Sequence, residues 1–424
     1  MIRRLLLLLA LLPVVGCESG PPASIEAPIV FIGVDSADWT WIDPLIEEGR
    51  MPRIEGLIER GVRAPLTSLV PLQKSPTIWT SIATGKRPAK HGIADFITHD
   101  SKVQTSDLRS AAAYWEILGH LGHRQAVLGW WVTYPATYVN GVLVSDFLPY
   151  IASTEREDEN AVYPPQEWER MASLVVHPDD VDDEMLARFV DVDAVRAHDQ
   201  DRMLDPLREY IAGDLTYLRI AEDLYAREDF GVFTVYFRGL DMASHQYWRW
   251  FQPNYSGIDP SDWRVDAFSR VIEAYYEFSD DLVGEVLDII DPESRVVLVS
   301  DHGFVGHRRK SGAQTLGVDM HRDTGILVLA GPGVRSGARI AQAEVKDVMP
   351  TMLVMMGVPT AADFDGHVLL DVFDGPERRF AEDLAQHELP TYEGVIPRAG
   401  QPVEVSDEVN EAVIERLRSL GYIE

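Results

Sequence analysis

The 424 residues carry 38 basic against 68 acidic side chains, a formal net charge of −30, with 46% hydrophobic and 25% charged residues and one cysteine. Those shares suit a globular chain, while the acidic excess excludes nucleic acid or an anionic membrane surface as an electrostatically held partner. A single cysteine excludes a disulfide framework and a thiolate metal cage, and the length suits one large domain with insertions or two domains, leaving the oligomeric state open.

The chain opens on Arg3 and Arg4, the apolar run Leu5–Leu12 and then Val14-Val15-Gly16-Cys17. The run is short for a bilayer span, and residues 1–16 read as a processing signal. The segment resembles the lipobox of bacterial lipoproteins. The resemblance implies cleavage before Cys17 and a lipid on its thiol, with residues 17–28 as a flexible tether. It places the protein on the periplasmic or extracellular face of the bacterial envelope, held to the membrane by its lipid alone. Glu18 after the cysteine favours the outer membrane.

Pro28–Asp35 (PIVFIGVD) is a β-branched run ending in an acid, predicted as a buried parallel strand. Trp41–Gly61 is predicted helical with a break at Met51-Pro52, and Ala64–Leu69 is a second strand. Ser75 precedes Pro76 and the apolar Ile78, Trp79, Ile82 and Ala83. Serine at the N-cap and proline at the first helical position predict a helix ending near Gly85. A hydroxyl at that mouth shares the helix's anion-attracting N-terminus, although the stretch by itself is as readily an ordinary capped helix.

Ala111–Leu121 is predicted helical, and Arg124–Trp130 and Val142–Ser145 are strands separated by Pro and Asn-Gly turn signals. Residues 150–228 are acidic and mostly helical and read as an insertion or cap, with a helix over Leu204–Ala226 returning to the core. Gly231–Phe237, Ser294–Asp301 and Gly325–Gly333 are further buried strands. Trp248–Trp263 reads as an aromatic loop and Val265–Ile290 as a long helix. Strands alternating with helices predict an α/β fold, a mostly parallel central sheet sandwiched by helices. The domain runs over 29–375 with a C-terminal extension over 376–424.

Three core strands end in potential metal ligands: Asp35 after the first, Asp241 and His245 after Phe237, and Asp301-His302-Gly303 after Ser300. A fourth, His321, lies just before Gly325. Sites in open parallel sheets form outside the carboxyl ends of the strands, so these residues converge although far apart in sequence. The donors are oxygen and nitrogen only, a set borderline ions such as zinc accept. Asp241 and His245, one helical turn apart, can share one ion with His321; Asp35, Asp301 and His302 can hold a second, with the Ser75 hydroxyl reaching towards it. Two cations also reconcile an acidic chain with an anionic substrate. Singly, each group reads as readily as a turn or a surface residue; jointly, they require a reason for strand after strand to end in Asp or His.

In this order Asp35, Ser75, Asp241/His245, Asp301/His302 and His321 resemble the alkaline phosphatase superfamily, and within it the type I phosphodiesterase/nucleotide pyrophosphatase family. That family sets its nucleophile at a fixed spacing before Thr-Gly, here Thr84-Gly85, followed by His91-Gly92-Ile93, and the spacing selects Ser75 over Thr77. Ser300–Gly303, Asp241–His245 and the segment from His321 through Gly331-Pro332-Gly333 match its other motifs. Thr133-Tyr134-Pro135 is similar to a loop of bacterial members, and Leu417–Ile423 to a common superfamily ending. One departure concerns phosphate: eukaryotic members place an Asn shortly after His-Gly-Ile, where Phe96 stands beside Asp95. Sulfatases of the superfamily need Cys or Ser in a C/S-x-P-x-R context, which Ser75-Pro76-Thr77 lacks.

The resemblance implies a metal-dependent phosphoesterase acting on small phosphodiester or pyrophosphate substrates of nucleotide type. Ser75 is its nucleophile; Asp35, Ser75, Asp241, His245, Asp301, His302 and His321 hold two divalent ions, zinc expected and manganese the alternative; and Lys74, Phe96 and Tyr134 face substrate. The other readings are a phosphomonoesterase, phosphonate hydrolase or phospho-transferase on the same fold, or a lipoprotein that binds metal without turnover.

Overall fold

The computed structural model describes residues 21–152, 158–306, 320–396 and 407–419. Cys17, the signal segment and residues 420–423 of the C-terminal motif lie outside the described residues. The strands are β1 Ile29–Val34, β2 Gly61–Thr67, β3 Gln125–Leu128, β4 Gly141–Val144, β5 Val162–Tyr163, β6 Val232–Phe237, β7 Arg295–Val299, β8 Gly303–Phe304, β9 His321–Arg322, β10 Thr324–Ala330, β11 Ala338–Arg339 and β12 Ala343–Glu344. The longer helices are α1 Trp39–Glu47, α2 Pro52–Glu59, α3 Ser75–Thr84, α4 Tyr114–His120, α5 Asp205–Tyr225, α6 Gly239–Phe251, α7 Val271–Ile289, α8 Val348–Met355, α9 Gly375–Leu384 and α10 Asp407–Ser419.

The main sheet runs β11-β2-β10-β7-β1-β6-β3-β4-β5, with β12 also on β2. Its centre, β7-β1-β6-β3-β4, is parallel, and β1, β6 and β7 are buried along their whole length. Their sequences are accordingly continuous apolar runs and do not alternate. β10 is antiparallel to both β7 and β2. That reversal explains why His321 precedes its strand while the other ligands follow theirs: the start of β10 lies at the same sheet edge as the ends of β1, β6 and β7.

Four sequence expectations change. Ser75 is the first residue of α3, not its N-cap; Lys74 is the N-cap and no side chain caps the helix. Pro76 therefore stands at the second position, and Gly85 ends the helix in the left-handed conformation (φ 65°). The aromatic loop is mostly helix: α6 continues to Phe251, and Trp248 and Trp250 are buried, Trp248 against Trp41 and Phe304. The long helix after it starts at Val271, a short helix Trp263–Phe268 preceding it.

Residues 150–228 also contribute to the body, and α5 returns the chain to the core. β5 extends the main sheet, antiparallel to β4, and α5 packs on β6, α6 and α7. The segment beyond 375 is also tied to the body: Glu393 and Asp363 both accept from the buried ammonium of Lys86 at 2.7 Å, just past α3. Asn410 of α10 accepts from the Val103 amide at 2.8 Å. No helix of the described residues is long and apolar enough to cross a membrane.

Candidate active site

The site is assembled at the ends of the three central strands, about 4.8 Å apart in the sheet. Gly33 in β1 keeps the approach open: a Cβ there meets the Tyr236 ring at 2.8 Å and Trp79 at 2.9 Å. The outer edge of the Trp79 ring thus reaches over Gly33, and the ring packs edge-on to Tyr236 (4.6 Å between centroids) and to Trp130 (5.0 Å). This packing fixes α3, and with it Ser75 one turn earlier. The Tyr236 hydroxyl in turn donates to Asp35 Oδ2 while accepting from Trp131 Nε1 at 2.7 Å.

The candidate ligands fall into two neighbouring groups that meet at His302, which lies within metal-sharing reach of Asp241 and His321 as well as of Asp35 and Asp301. In the first, Asp241 Oδ1 lies 3.5 Å from His245 Nε2 and 3.4 Å from His321 Nε2, and the two imidazole nitrogens are 2.8 Å apart. In the second, His302 Nε2 lies 3.5 Å from Asp35 Oδ1 and 3.6 Å from Asp301 Oδ2. A tetrahedral ion with bonds of 2.0–2.1 Å needs donor atoms about 3.3 Å apart; the carboxylate–imidazole spacings of 3.4–3.6 Å fit, while the two imidazole nitrogens of the first group would have to part slightly from 2.8 Å. The chemistry fits too. Asp35 Oδ1, both oxygens of Asp301, His302 Nε2 and Ser75 Oγ are buried without a hydrogen-bond partner among the described residues. Buried polar atoms are ordinarily paired, and these are all metal donors.

Electrostatics point the same way. Burial, then the neighbouring Asp241, raises the Asp35 pKa; burial, then Asp35, raises that of Asp301 well above its ordinary value. Burial also pushes Asp241 up, but the His245 and His321 imidazoles outweigh it and hold the carboxyl low. Burial lowers His245 and His321, and, with His321 adding to it, lowers His302 to about 4. Burial thus disfavours charge on Asp35, Asp301 and the three imidazoles, while Asp241 stays readily ionised; bound divalent cations would favour the carboxylate form of all three acids.

Ser75 Oγ is buried at the first turn of α3. Pro76 carries no N–H, and the Thr77 amide donates to the Lys74 carbonyl at 3.0 Å; unpaired amides at a helix start attract anions. The three residues expected to face substrate are otherwise engaged. Lys74 Nζ is held by Asp95 at 2.7 and 2.9 Å; Phe96 is buried edge-on to Trp131; the Tyr134 hydroxyl donates to Asp158 at 2.5 Å. Asp95 thus neutralises the lysine beside Ser75, and Phe96 packs against Trp131. Exposed aromatic surface remains at the end of α6, where Tyr255 lines an open cleft with Phe251 and Pro253.

Residues 29–353 match the family described as Type I phosphodiesterase / nucleotide pyrophosphatase. The chain belongs to that family. It is therefore a phosphoesterase of the phosphodiesterase/pyrophosphatase type. Similar solved structures include inactive murine ectonucleotide pyrophosphatase/phosphodiesterase 5 in complex with AMP, at 12% identity over 82% of this chain and 100% of that chain, TM-score 0.48. A 2-O GAG sulfatase is 13% identical over 81% and 73%, TM-score 0.49. Phosphonoacetate hydrolase from Sinorhizobium meliloti is 16% identical over 68% and 58%, TM-score 0.41. No curated protein matches the chain.

Several positioning residues of this phosphoesterase escaped the sequence reading. Ser300 Oγ accepts from the Ala37 amide at 2.8 Å and donates to the His302 carbonyl at 2.9 Å, tying the ends of β1 and β7 together. Asp38 caps α1 through Thr40 and pairs with Arg322, the neighbour of His321, at 2.8 Å. An acid just ahead of an apolar helical run is a readable cap signal; its second partner is not.

Asp214 of α5 does for α6 what no local residue does. Its Oδ1 accepts from the Arg238 and Gly239 amides at 3.1 and 3.2 Å, capping the helix that bears Asp241 and His245. Gly239 is required there, since a Cβ meets the Tyr275 hydroxyl at 1.8 Å. Burial pushes the Asp214 carboxyl up to about 7 from 3.8, against hydrogen bonds from Tyr275 and the two amides. A raised folded pKa means that folding takes up a proton: this contribution is full below 3.8 and is lost as pH rises through about 7. Asp214→Asn keeps an acceptor and cannot ionise. Its melting temperature, taken relative to wild type, is expected to rise by about 3 °C between about pH 5 and pH 8. A difference independent of pH in differential scanning fluorimetry contradicts this.

Proposed function

We propose that the protein is a two-metal hydrolase of phosphodiester or pyrophosphate bonds in nucleotide-type substrates, acting through a covalent intermediate on Ser75. The reading rests on one observation above others: the donor atoms of Asp35, Asp301 and His302 meet at the ends of β1 and β7, buried and unpartnered among the described residues, and Ser75 Oγ at the start of α3 is likewise buried and unpartnered. Asp241, His245 and His321 hold one ion and Asp35, Asp301, His302 and Ser75 the other, zinc or manganese. When bound, the ions supply Lewis acidity, lowering the Ser75 hydroxyl pKa and offsetting charge on the phosphoryl oxygens.

Ser75 Oγ attacks phosphorus, the bond to the leaving oxygen breaks, and the leaving group departs with its electron pair. The Ser75 N–H at the start of α3 donates to an equatorial phosphoryl oxygen. The proton lost from Ser75 ends on the leaving oxygen; water then attacks phosphorus, the P–Oγ bond breaks with its electron pair returning to Oγ, and one proton of the water restores the Ser75 hydroxyl while its oxygen stays on the phosphoryl product. Tyr236 holds Asp35 in place through both steps, and Trp79 holds the helix that presents Ser75.

The test is a substrate panel with zinc and with manganese: bis-p-nitrophenyl phosphate, a dinucleotide pyrophosphate, p-nitrophenyl phosphate and a phosphonate. Diester and pyrophosphate are expected to turn over at least 10-fold faster than the monoester, about 1.4 kcal/mol in transition-state binding. Lys74 is neutralised by Asp95, which supports a substrate with fewer charges on phosphorus than a monoester dianion. A monoester preference favours the phosphatase reading instead. We further propose lipidation at Cys17 of the envelope-exported protein, checked by fatty-acid labelling of wild type against Cys17→Ala.

A further inference from the structure

Ser36 touches both clusters. It follows Asp35 with φ 69°, in the left-handed region that disfavours a side chain. A continued strand sends successive side chains to opposite faces; this turn instead leaves Asp35 and Ser36 both fully buried. The Ser36 hydroxyl donates to Asp241 Oδ1 at 2.9 Å and lies 3.2 Å from His302 Nδ1. A serine hydroxyl has one proton and two lone pairs. With its proton on Asp241, Ser36 Oγ accepts from His302 Nδ1–H, a hydrogen also shared with the Gly303 carbonyl at 3.2 Å. Nε2 of His302 is then the nitrogen with the lone pair, and it is the one aimed at Asp35 and Asp301. One hydroxyl thus joins a donor of the first cluster to a donor of the second.

We propose that Ser36 is a positioning residue that couples the two metal centres, so that an ion bound in one cluster prepares the other. The proposal rests on the two-metal reading above. Loss of the hydroxyl removes one hydrogen bond from Asp241 Oδ1 and leaves, among the described residues, only the Gly303 carbonyl to hold the His302 tautomer. Outer partners of this kind ordinarily contribute about 10- to 100-fold to metal affinity. The backbone strain at φ 69° persists because the side chain is needed there, the ordinary relation of an outlier to a site.

Ser36→Gly separates the two roles, because glycine accepts that φ without strain. The experiment is calorimetric titration of the metal-free protein with zinc, with melting of the metal-free form alongside, for wild type, Ser36→Gly and Ser36→Ala. Wild type is expected to take two ions with coupled affinities. Ser36→Gly is expected to melt at or above wild type when metal-free, yet to bind zinc about 10-fold more weakly and with the two sites independent. Ser36→Ala, which keeps the strain, is expected to show the same binding loss. If wild type takes two ions and Ser36→Gly matches its affinities and coupling, the proposal is overturned while the two-metal reading stands. If wild type takes fewer than two ions at saturating zinc, that reading fails and the coupling falls with it.

Discussion

Replacing Ser75 with alanine is expected to lower turnover of bis-p-nitrophenyl phosphate by about 10³-fold or more, the usual consequence of deleting a nucleophile. The fold is expected to survive unchanged. Ser75 Oγ has no hydrogen-bond partner among the described residues, and α3 is capped by no side chain, so alanine removes no protein contact of the hydroxyl. Alanine is also the best helix former, and the melting temperature should stay within a degree or two. Zinc stoichiometry should stay at two, because Asp35, Asp301 and His302 remain. The competitor is Thr77, whose Oγ1 is likewise buried and unpartnered. Full activity in Ser75→Ala with loss in Thr77→Ala moves the nucleophile to Thr77.

Removing the ions is the second large effect. Chelation is expected to abolish activity and to lower the melting temperature by on the order of 10 °C, both recovered with zinc. Each site loaded at 1,000 times its dissociation constant stabilises the fold by about 4 kcal/mol, which in a chain of this size moves the midpoint by several degrees. The metal-free fold retains three buried carboxyls in one place, two of them raised in pKa by burial. Asp301→Asn is therefore expected to melt at or above wild type when metal-free, since it removes a carboxyl with no partner. The same variant should gain little from zinc. Equal zinc stabilisation of Asp301→Asn and wild type, or an unchanged melting temperature and activity after chelation, removes the ion-binding role.

Much of the fold was legible because its central strands are buried on both faces, which makes them unbroken apolar runs such as Ile29–Val34 and Val232–Phe237. The ligand types were legible for a related reason: an acid or imidazole directly after such a run stands out. The start of α3 was misplaced by one residue because the N-cap signal of Ser75 competes with Pro76, and proline is tolerated at either of the first two helical positions. The Trp248–Trp263 segment read as a loop because Pro253, Gly257 and Pro260 punctuate it, whereas Trp248 and Trp250 lie on a helix packed by distant partners such as Trp41.

Sequence alone determined that aspartates and histidines stand at the ends of the buried strands and that a serine opens a helix ending at Gly85. These are local facts, set by strand burial, proline geometry and the left-handed glycine. Tertiary structure decided the rest, because partners far apart in the chain meet only through the order of the sheet. Antiparallel β10 brings His321 to the edge where the other strands end. The turn at Ser36 aims one hydroxyl at both ligand clusters. Asp214 of the acidic segment caps the helix of Asp241, and Asp95 takes the charge of Lys74. Hydrogen bonds and ion pairs between residues hundreds of positions apart carry no periodic signature, and strand order is what brings them within reach.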